Sequence, residues 1–110
     1  MTADEEQQIV MQLILKSGKA QSQAMAAITA AKAGQMQVAA DDMTEAEQQL
    51  AAGHQAQTDL LAEASGEDLA PSLLMVHAQD HLSMAMMAIE LGKEIIDVYK
   101  RLNNPNNETK

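Results

Sequence analysis

From residue 73 to residue 102 the chain is apolar on more than one side of any helix it can form. Leu73, Leu74, Met75, Val76, Leu82, Met84, Met86, Met87, Ile89, Leu91, Ile95, Ile96, Val98 and Leu102 go most of the way round. A helix apolar on more than one face must be covered on more than one face. Two neighbouring helices of the same chain cover one arc, so copies of the chain are expected to cover the rest in a homo-oligomer. Within this stretch Leu73, His77, Asp80, Met84, Met87, Leu91, Ile95 and Val98 follow one another in steps of three and four. That spacing reads as a helix-helix contact stripe. An imidazole and a carboxylate interrupt it, with His81 beside them. A buried carboxylate is costly unless it is protonated, paired or bound to metal, so the placement calls for a reason.

The rest of the chain points to helices as well. Its 110 residues make one domain, with no Phe, no Trp, one Tyr and nine Met. Abundant Ala and unbranched side chains suit close helix packing, and nowhere do β-branched residues alternate as in a strand. The predicted fold class is all-α. A net charge of -9 disfavours nucleic acid and anionic membrane surfaces as partners and leaves a basic protein partner open. Without Cys there is neither a disulfide framework nor a thiolate site. The first residues lack the basic and apolar segments of a signal peptide, and no apolar run is long enough to span a membrane. A cytoplasmic protein is expected.

Three helices follow in order. Thr2 or Asp4 can cap the first, and Glu5 and Glu6 in its first turn complement the helix dipole. Ile9, Val10, Leu13, Ile14, Ala20, Ala24, Ala27, Ile28 and Ala31 keep helical spacing out to Lys32. Gly18 inside that helix predicts a kink or, better matched to the alanines that follow, a close helix-helix approach. Gly34 marks the stop. The second helix runs from about Met36 to about Glu63, with Met36, Ala39, Met43, Ala46, Leu50, Gly53, Gln57 and Leu60 in a three-four repeat. A breaker-rich acidic loop over 64–71 precedes a third helix opened by Pro71 or Ser72 and running to about Leu102. Residues 1–102 are thus read as an antiparallel up-down-up three-helix bundle and 103–110 as a flexible polar tail. In that topology Gly53, His54, Gln57 and Thr58 lie beside the start of the third helix, near His77.

Val76-His77-Ala78-Gln79-Asp80-His81-Leu82, Gly18-Lys19-Ala20 followed by Ser22, the Ala33-Gly34 turn, and His54-Gln55-Ala56-Gln57-Thr58 followed by Glu63-Ala64-Ser65-Gly66-Glu67 together resemble the lactose/cellobiose class of enzyme IIA. These are subunits of the bacterial phosphoenolpyruvate-dependent sugar phosphotransferase system. The resemblance implies a homotrimer of three-helix bundles whose third helices pack around the threefold axis. It implies that His77 is phosphorylated, and that Asp80 faces the axis, where three copies hold one divalent metal ion, with Mg expected. The implied phosphoryl donor is the phosphohistidine of HPr. The acceptor is the cysteine of a cognate enzyme IIB, whose membrane partner, enzyme IIC, imports a β-glucoside, cellobiose, diacetylchitobiose or lactose-type sugar. This chain departs from the family's usual residues at Ser83-Met84, where Met-Thr is common, and at Met36, where an aromatic is frequent.

The residue types suit that chemistry. A neutral imidazole is a phosphoryl acceptor near neutral pH, Gln79, His81, Gln57 and Thr58 are candidate donors to the phosphoryl oxygens, and His54 is a further candidate in the shell around the phosphoryl group. The absence of a neighbouring Lys, Arg or Gly-rich loop argues for a protein phosphodonor over ATP. Three carboxylates meeting on an axis need a cation, and a hard divalent ion suits oxygen ligands. Duller roles exist for each residue: His77 as a core histidine, Asp80 as a partner of His77 or His81, His54 as an anchor of the second helix, the methionines as core filler. Two rival functions compete with the phosphocarrier. One is a histidine-phosphotransfer domain of two-component signalling, whose motif carries a Lys after the His. The other is a non-catalytic metal-binding helical bundle, which here lacks the facing Glu-x-x-His pairs of di-iron proteins.

Overall fold

In the computed structural model, which describes residues 2–64 and 73–104, the chain folds as three long helices: α1 (Ala3–Lys32), α2 (Met36–Ala64) and α3 (Leu73–Asn103). No strand occurs among the described residues. The acidic loop, the opening of α3 at Pro71 or Ser72, and most of the polar tail lie outside them.

Thr2 caps α1. Its hydroxyl accepts from the Glu5 backbone N–H at 3.1 Å while its own N–H donates to Glu5 Oε1 at 3.3 Å, so two otherwise orphaned amides are satisfied reciprocally. The side-chain hydrogen bond with Thr2, and then the Thr2 backbone N–H, hold the Glu5 carboxyl below its ordinary value. At the other end the Gln35 N–H reaches Ala30 O at 2.9 Å and the Gly34 N–H reaches Ala31 O at 3.0 Å. That double closure needs a left-handed residue, and Gly34 supplies it with φ 81°, a conformation costly for any residue with a Cβ.

The core is a ladder of three layers. Val10 and Leu13 meet Leu60, Ala78 and Leu82 at one end. Ala20, Ala24 and Ala27 meet Met43, Ala46, Ala85 and Ile89 in the middle. Ala30, Ala31 and Ala39 close the other end against Met36, Ile96 and Tyr99. The three-four repeat read along α2 is therefore its inward face. Between α2 and α3, Gln57 pairs with Gln79, Glu47 with Lys93 at 3.3 Å, and Met36 Sδ with Asn103 Nδ2 at 3.7 Å. Positions fall along α2 as they rise along α3. Met36, where an aromatic is frequent in the family, sits half-buried in this last layer.

Two expectations need correction. The close approach expected at Gly18 occurs at Gly53. A methyl group on Gly53 would lie 3.2 Å from Leu82 Cδ1 and 3.5 Å from Ser17 Oγ, whereas one on Gly18 would meet nothing within 4 Å. α1 runs unbroken through Gly18. The second correction concerns α3. Its contact with its own chain is made by Ala78, Leu82, Ala85, Ile89 and Gly92, all buried, and not by the stripe of His77 and Asp80. Both stripes keep three-four spacing, but only the first is rich in Ala and Gly, which let α1 and α2 approach closely. Leu73, Met84, Met87, Leu91, Ile95, Val98 and Leu102 all stay exposed in the single chain, Leu73 at 86 % and Leu91 at 55 %. An apolar seam, interrupted by His77 and Asp80 near its start, thus runs along the outside of the bundle.

Candidate functional site around His77

His77 and Asp80 both lie on the exposed seam, and His81, one turn beyond His77, is half-buried at its edge. Within the single chain His77 is not part of the core. The His77 and His81 rings stand edge to face, centroids 4.6 Å apart and planes at 83°. Their Nε2 atoms are 3.1 Å apart, one ring donating its N–H and the other accepting. Helical spacing of four puts them on one face; the side chains then converge at their tips. No hydrogen bond or ion pair among the described residues engages the Asp80 carboxylate.

His81 also lines a cleft of about 530 Å³ together with Ile14, Leu15, Gly18, Lys19, Ser22, Gln23, Glu45 and Gln49. Lys19 is the cation that reading along the sequence missed. It lies on α1, far from His77 in the chain, and the fold brings it to the cleft that His81 borders. Its only sequence signal was its place in the Gly18-Lys19-Ala20 segment.

The remaining candidates divide. Gln57 and Gln79 come together across α2 and α3, Gln57 Nε2 donating to Gln79 Oε1 at 2.5 Å. Two residues on from His77, Gln79 points roughly 200° round the helix from it. In the single chain this pair clasps two helices and leaves His77 alone. The Thr58 hydroxyl donates back to the His54 carbonyl at 3.0 Å, the default for a hydroxyl inside a helix. His54 lines a separate groove of about 280 Å³ with Glu47, Leu50, Ala51, Met86, Ile89, Glu90 and Lys93, and not the cleft that His81 borders. Ser83 is exposed on α3, and Met84 joins the outer seam. Among the described residues no group of three or more His, Cys, Asp and Glu side chains is placed to hold a metal within one chain. Nor is any helix long and apolar enough to cross a membrane.

Comparison with known proteins gives a consistent picture. The family model described as "PTS system, Lactose/Cellobiose specific IIA subunit" matches residues 8–100. The lichenan-specific phosphotransferase enzyme IIA component of Bacillus subtilis is 43 % identical over 100 residues, spanning 90 % of this chain and 91 % of that protein. The crystal structure of the cellobiose-specific enzyme IIA from Bacillus anthracis superposes with a TM-score of 0.85 at 45 % identity, covering 94 % of both chains. The IIA in a solution structure of the Escherichia coli IIA(Chitobiose)-HPr complex gives a TM-score of 0.80 at 38 % identity, covering 89 % of this chain and 96 % of that one.

Proposed function

The chain belongs to the lactose/cellobiose-specific IIA family of the sugar phosphotransferase system, and from that membership we infer that His77 is the residue through which it acts as a phosphocarrier. It is a phosphotransferase component. The observation that carries the assignment to His77 is an imidazole exposed on the outer seam with its tip against a second imidazole. HPr is the donor, supported by the likeness to a IIA bound to HPr.

The transfer follows from the residues. The lone pair of a neutral His77 nitrogen attacks the phosphorus of phospho-HPr in line, the new P–N bond forms as the old one breaks, and the HPr imidazole leaves. Negative charge spreads over three equatorial oxygens, so catalysis consists of positioning and electrostatic complement. His81 places a ring nitrogen 3.1 Å from the acceptor ring, a donor in the tautomer that carries its proton there, and the Lys19 ammonium lines the cleft that His81 borders. In the second half the thiolate of enzyme IIB attacks, a P–S bond replaces the P–N bond, and His77 returns neutral. An exposed acceptor suits both exchanges, because each requires another protein to reach it through a small transient interface.

The assembly is a homotrimer of antiparallel up-down-up bundles with α3 innermost, supported by the contacts that pair late α2 with early α3 and the first half of α2 with the second half of α3, and by the apolar seam left uncovered on α3. Asp80 interrupts that seam with a carboxylate otherwise unengaged among the described residues. Its oxygen donors fit a hard divalent cation, Mg by preference; three copies would hold one ion, whose chemistry is to offset the mutual repulsion of the carboxylates. The protein works in the cytoplasm, relaying phosphoryl groups toward an enzyme IIC that imports a β-glucoside, cellobiose or lactose-type sugar. The test is His77→Ala. That variant should keep its helical content and accept no phosphoryl group from phospho-HPr; undiminished labelling moves the acceptor elsewhere.

A further inference from the structure

We propose that His77 and His81 together form a two-point binding site for a borderline divalent transition ion, Zn²⁺ above all, and that its occupancy shuts the phosphoryl acceptor. The binding claim stands on geometry alone; the inhibition rests on His77 being the acceptor. Zinc-nitrogen bonds of about 2.0–2.1 Å place two nitrogens of one ion about 2.9–3.4 Å apart, from right-angled to tetrahedral. The two Nε2 atoms stand 3.1 Å apart, inside that window before any ion arrives. Both rings are on the same face of a continuous helix, so little conformational freedom is lost when they chelate. His77 is exposed in the single chain, and among the described residues no side chain of that chain other than His81 occupies its tip. Imidazole pairs favour zinc, copper and nickel over magnesium, so this site and the carboxylate of Asp80 select different ions.

Binding exchanges one interaction for another without net proton release. The ring that now donates its Nε2–H moves that proton to Nδ1 through solvent, and both Nε2 lone pairs then go to the ion. The ion occupies the His77 nitrogen that faces His81, and the space beside the ring that an incoming phosphoryl group needs. High zinc therefore halts the relay at this carrier, and chelation restores it.

The experiment titrates the intact protein with zinc chloride in magnesium-containing buffer by calorimetry. Wild type should bind one Zn²⁺ per chain at this site, with Kd at least tenfold weaker in both His81→Gln and His77→Gln, and His54→Gln should bind as wild type. Copper(II) should give an electron paramagnetic resonance spectrum with two imidazole nitrogens in wild type and one in His81→Gln, a signature that altered folding cannot imitate. With isolated phospho-HPr, zinc should block labelling of wild type, and excess EDTA should restore it. Equal zinc affinity of wild type and His81→Gln, or a copper spectrum unchanged by that substitution, overturns the site. Zinc binding that leaves labelling of wild type intact overturns the inhibition. Labelling of His77→Gln would instead remove the acceptor assignment while the zinc affinities stood.

Discussion

Replacing Leu91 by Glu separates the fold of one chain from the proposed assembly of three. Leu91 belongs to none of the three buried layers and is 55 % exposed in the single chain, whereas Ile89, two positions away, is 4 % exposed in the central layer. Full burial of a leucine stabilises by about 1.5–3 kcal/mol; with roughly half that surface left to cover, assembly gains about 1 kcal/mol per subunit at this position. Leu91→Ala should therefore weaken a trimer by roughly 3 kcal/mol, about a hundredfold in its dissociation constant. Leu91→Glu adds the desolvation of a charge, several kcal/mol per copy, and should leave monomers at micromolar concentration. Sedimentation equilibrium reads the mass and circular dichroism the helix. Ile89→Ala should behave differently, costing about 2–5 kcal/mol of folding stability through the cavity it leaves. A Leu91→Glu protein that keeps the wild-type trimer mass would refute the placement of the outer seam at the interface.

Other substitutions probe single contacts. Gly18→Ala meets open space and should raise stability by up to about 1 kcal/mol, a few degrees in Tm. Gly53→Ala should bring no such gain, because its methyl group would press on Leu82 at 3.2 Å; equal gains in thermal melts would contradict the close approach there. Asp80→Leu should abolish the bound divalent ion, measured by elemental analysis, and keep or strengthen the trimer by turning carboxylates into apolar packing; dissociation on that change would remove Asp80 from the axis. Glu5 has its carboxyl lowered by Thr2, so its contribution is complete above the ordinary value of 4.5 and is lost as pH falls through the lower folded value. Thr2→Ala should move the Glu5 titration, followed by carbon NMR, upward toward the ordinary value, the backbone N–H of residue 2 still holding part of the lowering.

The helices were legible because three independent signals agreed: Thr2 and Glu5 at the start of α1, Gly34 at its stop, and an unbroken three-four repeat along α2. Direction along α3 was harder. Two stripes with the same spacing compete there, and periodicity does not say which one meets its own chain; side-chain size does, since Ala78, Ala85 and Gly92 admit close neighbours and Met84, Met87 and Leu91 do not. Gly18 misled because a helical glycine signals closeness only when another backbone or side chain lies opposite, and that partner is invisible along one segment. The pairing of His77 with His81 was readable from spacing alone. The place of Lys19 was not, because it depends on how α1 packs, and Thr58 was lost to its own backbone. Topology placed Gln57 beside the start of α3, where it meets Gln79, but helical rotation turned Gln79 away from His77.

The most direct measurement is the intact mass of the wild-type protein after incubation with phosphoenolpyruvate, enzyme I and HPr, analysed at alkaline pH and followed by peptide mapping. One added phosphoryl group per chain, lost on acidification and confined to the peptide that contains His77, is the predicted result. An unchanged mass, or an acid-stable phosphate on a peptide without His77, would contradict the account.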